Sequence, residues 1–193
     1  MKLTPTPAQT VGPFFGYALP YAGGEALVDR SHPGAVRLHG TVYDGDGVPV
    51  PDALLEIWQP DEHGVISQQP GSLLRDGYTF TGWGRAAVDG VGHFSFTTVE
   101  PGSTGDGVAP YFLVTVFARG LMDRLFTRAY LPGDPATLEQ DPLLSSVPAD
   151  RRQTLITTRE SDGSLRFDIH FQGADETVFL NYPNTPQFTG PVD

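Results

Sequence analysis

Glycine and proline interrupt this chain from end to end, 23 and 18 residues respectively, with no period to their spacing. In a helix interior each glycine costs about 1 kcal/mol and each proline about 3 kcal/mol relative to alanine, so long helices are excluded. The missing period excludes collagen, and the even spread excludes a low-complexity linker. What remains is a succession of short extended segments joined by turns. Val36–Tyr43 alternates, with Val36, Leu38, Gly40 and Val42 on one face, and Asp44–Gly47 is a turn. Ala53–Trp58 is a second strand, ended by Pro60 and the turn Asp61–Gly64, and Gly92–Val99 alternates again before Pro101. Pro110–Ala118 is almost continuously apolar and reads as a strand buried on both faces. Leu125–Leu131 and Leu165–Phe171 complete six strands, Glu176–Leu180 offers a seventh, and one helix is expected within Asp141–Thr154, limited by Pro142 and Pro148. Strands without intervening helices predict an all-β fold, an antiparallel β-sandwich with long loops.

At 193 residues the chain suits one domain: an N-terminal arm over 1–35, a sandwich core over 36–182 and a tail over 183–193. The arm is rich in proline yet carries Phe14, Phe15, Tyr17 and Tyr21, so it is expected to pack against its own domain or a partner. Twelve basic residues against 23 acidic ones leave a net charge of −11, which repels phosphate backbones and argues against nucleic acid. No apolar run approaches a membrane span or a secretory leader, and a cytoplasmic protein with no membrane contact is expected. Cysteine is absent, which removes disulfides, thiolate metal sites and cysteine nucleophiles.

The five histidines, His32, His39, His63, His93 and His170, show no metal-ligand spacing. Asp168 and His170 share a strand face and could supply two ligands, but Arg166 sits on the same face, and a solvated surface is the better reading. No nucleophile elbow or phosphate loop is present. Arg128 stands mid-strand between aromatic residues. An arginine there faces a cavity and an anionic ligand, or else snorkels to solvent from an edge strand, and composition leaves both open.

Leu54–Gln59, with Tyr43–Gly47 before it and Gly92–Phe96 and Pro101–Gly102 after it, resembles the intradiol ring-cleavage dioxygenases. Gln9–Phe14, Phe117–Leu121, Thr127–Tyr130, Phe167–Gly173 and Glu176–Phe179 extend the resemblance over about residues 4–182. It implies a β-sandwich and an oxygen-dependent opening of a catechol ring at a ferric iron held by two tyrosines and two histidines. At the places of those ligands this chain carries Ile66, Thr104, Phe112 and Val114. The resemblance therefore implies the iron-free member of a two-subunit enzyme, with no metal ligand and no catalytic residue of its own. Its Fe(III) would be held by a partner subunit in a hetero-oligomer. It also implies substrate-binding roles for Thr10, Gly12, Pro13, Phe14 and Arg128, which would wall a shared pocket for an anionic dihydroxybenzoate. Two rival readings are a binding or structural module of the same descent without activity, and a homomeric metalloenzyme built on Asp168 and His170.

Overall fold

The computed structural model describes residues 10–12, 14–70 and 75–182. The first nine residues of the arm, Pro13 and the tail 183–193 lie outside the described residues.

Among the described residues nine strands form two sheets. In the first, β1 (Ala35–Tyr43) lies centrally and pairs antiparallel with β4 (His93–Val99), from Ala35 opposite Val99 to Thr41 opposite His93. Its other edge takes the short β8 (Leu165–Arg166) and β9 (Ile169–His170), and β7 (Thr158–Arg159) adds to β8. The second sheet runs β3 (Trp83–Ala87), β2 (Leu54–Trp58), β5 (Tyr111–Phe117), β6 (Leu125–Tyr130), antiparallel throughout. Alternation does the sorting: Val36, Leu38 and Val42 turn inward from β1 to meet Leu55, Ile57, Phe112, Val114 and Val116 of the opposing sheet. Phe94 and Phe96 fill the space between them edge to face, an arrangement the ring quadrupole favours. The buried amide of Gln59 tightens one corner, donating to the carbonyls of Pro60 and Val99 and accepting from the Thr98 hydroxyl.

The sandwich is the expected one, with several local departures. β8 and β9 run parallel to β1, with Leu38 opposite Leu165 and Val42 opposite Ile169. Between them the expected single strand is broken, because the chain presses its Phe167 carbonyl onto Gly40, where any Cβ would overlap it. β5 is buried on one face only: Phe112, Val114 and Val116 enter the core, while Tyr111, Leu113, Thr115 and Phe117 are half-exposed on the other side. β3 escapes the sequence pattern because Gly84 and Arg85 dilute its apolar signal. The single expected helix resolves into α3 (Pro142–Ser146) and a 3-10 turn at Arg152–Leu155, preceded by α2 (Pro135–Gln140). Prolines at 142 and 148 divide it. A further short helix, α1 (Phe15–Ala18), lies in the arm. Glu176–Leu180 stays irregular but stitches the sheets together, its Thr177 amide bonding to His170 and its Leu180 amide to Phe126. Among the described residues no helix is long and apolar enough to cross a membrane.

Candidate functional site

On the outer face of the second sheet, Phe126, Arg128 and Tyr130 project from β6 on the side away from the inter-sheet core, Tyr130 into a second buried cluster with Leu144 and Leu155, because β6 turns Thr127 and Ala129 inward. Arg128 lies flat against an aromatic wall, its guanidinium carbon 3.9 Å from the centre of the Tyr111 ring. Its Nη1 donates to the Tyr130 hydroxyl at 3.0 Å. Its Nε is buried without a hydrogen-bond partner, and among the described residues no carboxylate pairs with it. Burial opposes the cation, but the hydrogen bond it donates to Tyr130 and the neighbouring phenols outweigh it and hold its pKa above the usual arginine value. A half-buried cation with unspent donors is the chemistry of an anion site.

The surroundings are equally ordered. Tyr130 is fully buried, and its hydroxyl donates to Asp141 Oδ1 at 3.0 Å. Burial pushes its phenol far above the ordinary range, so it remains a neutral donor. Asp141, also fully buried, caps α3 by accepting from the amides of Leu143 and Leu144, and its Oδ2 accepts from the amide of Ala109. Tyr182 stands on the same side, edge-on to Phe126 with ring centres 5.4 Å apart.

Of the other expected site residues, Thr10 accepts from the Gly120 amide at 3.1 Å, which ties the arm to the β5–β6 turn at the far end of β6 from Tyr130. Gly12 adopts φ +75°, a conformation that favours glycine. Phe14 is 75% exposed and Tyr17 is 87% exposed, although Phe15 between them is buried. Farther along the arm, the Leu19 carbonyl accepts from Arg85 Nη1, and Arg85 in turn grips Glu56 through Nε and Nη2. Among the described residues no hydrogen bond joins Thr10, Gly12 or Phe14 to Arg128. Two large aromatic rings left in water are a surface that calls for cover.

The family model described as a dioxygenase matches residues 11–111 of this chain. The chain belongs to the intradiol dioxygenase family. It is 38% identical over 93% of its length to the protocatechuate 3,4-dioxygenase alpha chain of Burkholderia cepacia, covering 98% of that protein. Similarity to the beta chain from the same organism is lower, 32% identity over 80% of this chain and 69% of that one. Among solved structures, the dioxygenase domain of a dioxygenase carbohydrate-binding protein fusion from Streptomyces sp. SirexAA-E aligns with a TM-score of 0.56 at 26% identity, covering 89% of this chain and all of that one.

Ferric iron is the metal of this family, and the residues of this chain do not fit it. The loops bearing Ile66 and Thr104 are pressed together as a shared site requires: the Gly102 amide bonds to the Asp61 carbonyl at 2.7 Å, and Gly64 abuts the Ser103 carbonyl. Isoleucine brings no donor atom there. Phe112 and Val114 are the expected counterparts of the histidine pair, and neither side chain has a donor atom. Both point into the core, and the residues that face the outer side are Tyr111 and Leu113. Leu113 has no donor, and Tyr111 lies beneath the Arg128 cation, which opposes a trivalent metal. Asp168 is likewise committed, accepting from the Thr41 amide and pairing with Arg166 at 2.7 Å, while His170 stacks on Tyr43.

Tyr111, Tyr130 and Asp141 escape a reading of the sequence alone. Tyr130 carried the one available signal, standing two residues from Arg128 and so on the same strand face.

Proposed function

We propose that this chain is an alpha-type, iron-free subunit of a protocatechuate 3,4-dioxygenase, and that it completes a substrate pocket opposite a beta-type subunit. The assembled pair would cleave protocatechuate with dioxygen, between its hydroxyls, to 3-carboxy-cis,cis-muconate in the cytoplasmic β-ketoadipate route. The beta-type partner would hold the ferric iron. This chain would bind and orient: Arg128 takes the substrate carboxylate, and Thr10, Gly12, Pro13 and Phe14 form a thin, rigid edge to the pocket. The observation that supports this reading is Arg128 itself, a cation held against aromatic rings with a buried Nε and no carboxylate partner among the described residues. The alpha-chain relative matched over nearly its full length supports the choice of subunit.

The test is to purify this chain alone and together with a co-expressed beta-type subunit, and to measure bound iron and protocatechuate-dependent oxygen uptake in both. Iron and activity in the complex only are expected. Stoichiometric iron with oxygen uptake in the lone chain would overturn the reading. Within the complex, Arg128→Ala should raise KM for protocatechuate about tenfold or more, as loss of a charge-assisted contact does, and leave iron content unchanged.

A further inference from the structure

The proposed role of Arg128 demands that a long, flexible side chain present its donors in one direction, and the surrounding bonds form a chain that does this. Asp141 is immobilised first: three backbone amides, those of Ala109, Leu143 and Leu144, converge on its carboxylate within 3.0 Å. That fixed acceptor takes the only proton of the Tyr130 hydroxyl. With the proton spent, the oxygen lone pairs of Tyr130 face Arg128 and accept from Nη1. The Tyr111 ring then supports the flat face of the guanidinium. Among the described residues one of five guanidinium donors is consumed in holding the group; Nε is buried, so the remaining Nη donors are the ones left for an incoming anion.

We propose that Tyr130 and Asp141 are positioning residues that aim Arg128 at a substrate carboxylate, making this buried relay the device by which the subunit distinguishes carboxylated catechols from uncharged ones. The inference rests on the proposed function, and it assigns to two buried residues a role in specificity rather than in the fold alone. A guanidinium anchored in advance loses little rotamer freedom on binding, so its contact with the anion is not offset by ordering cost. Without the Tyr130 hydroxyl, Nη1 is unpartnered and the side chain is free to swing off the Tyr111 face.

The test uses the co-purified complex and two probes: protocatechuate as substrate, and catechol, which has the diol but no carboxylate, as competitive inhibitor. Tyr130→Phe keeps the ring and removes only the hydroxyl. It should raise KM for protocatechuate about threefold to tenfold, while kcat and the inhibition constant of catechol stay within about twofold. Tyr111→Leu, at a half-exposed position, removes the ring beneath the guanidinium and should act in the same direction, so the test does not depend on one variant folding. If Arg128→Ala raises KM and neither of these variants does, the relay is refuted and the role of Arg128 stands. A parallel loss of kcat and catechol affinity would mark the relay as merely structural and overturn the proposal. If Arg128→Ala itself leaves KM unchanged, the reading of the site fails and the relay fails with it.

Discussion

His39 and His93 meet across the β1–β4 ladder, Nδ1 of the first lying 3.3 Å from Nε2 of the second. Arg37 Nη2, which can only donate, also lies 3.3 Å from His93 Nε2, so that nitrogen must accept. His39 faces the same nitrogen through Nδ1, and its Nε2 lies 3.0 Å from Glu160 Oε2.

This arrangement sets a pH dependence. Burial, then the charges of Arg37 and His39, lower the pKa of His93 from its ordinary 6.5, against the opposing pull of Asp89 and Asp168. The folded state therefore binds its proton less readily than the unfolded chain, so His93 adds no penalty above pH 6.5 and destabilises the fold as pH falls below it. Urea midpoints followed from ~pH 8 to ~pH 5 should decline less steeply for His93→Gln than for the wild type, by a difference below about 1 kcal/mol because the site is partly solvated. Equal slopes would refute the assignment.

Gly40→Ala should be costly at this buried strand position. The new methyl would meet the Phe167 carbonyl, which is backbone and cannot rotate aside. A loss of about 1 to 3 kcal/mol in chemical denaturation is expected, as for other overpacked sites. Gly105→Ala, with nothing within 4 Å, is the matched control and should shift stability by less than about 0.5 kcal/mol.

Arg85 links the arm to the second sheet, bonding to Glu56 and to the Leu19 carbonyl together. Arg85→Ala should loosen the arm and speed chymotryptic cleavage after the exposed Tyr17, by about fivefold or more if the contact contributes ~1 kcal/mol. Glu56→Gln leaves the bond to Leu19 in place and should cut more slowly than Arg85→Ala.

The strands that sequence reading locates well are those whose alternation is uninterrupted: Val36–Tyr43, Gly92–Val99 and Leu125–Leu131 fall within about a residue of β1, β4 and β6. Reading fails where tertiary contact decides. β7, β8 and β9 are two residues each, held by pairing with a distant partner rather than by any pattern of their own. β5 reads as buried on both faces because Tyr111, Leu113 and Phe117 are apolar on the outer face too, which hides the period. At the site, Arg128 was visible because a charge among aromatics is anomalous. Asp141 was not, because a cap at Asp-Pro looks like any helix start; that its carboxylate also reaches the β6 tyrosine is a fact of folding alone.

The parallel docking of β8 and β9 on β1 has a consequence for how the protein is made. Leu38 waits for Leu165 and Val42 for Ile169, so one edge of the central strand has no partner until residues 165–170 have left the ribosome. Hairpin-like pairs such as β5–β6 can close as they emerge, but the first sheet is completed only by contacts of very high sequence separation, which fold slowly. Until then β1 presents an open, apolar strand edge to every neighbouring nascent chain. Conditions that slow translation or crowd the polysome should therefore reduce the yield of this subunit before any property of the finished fold comes into play.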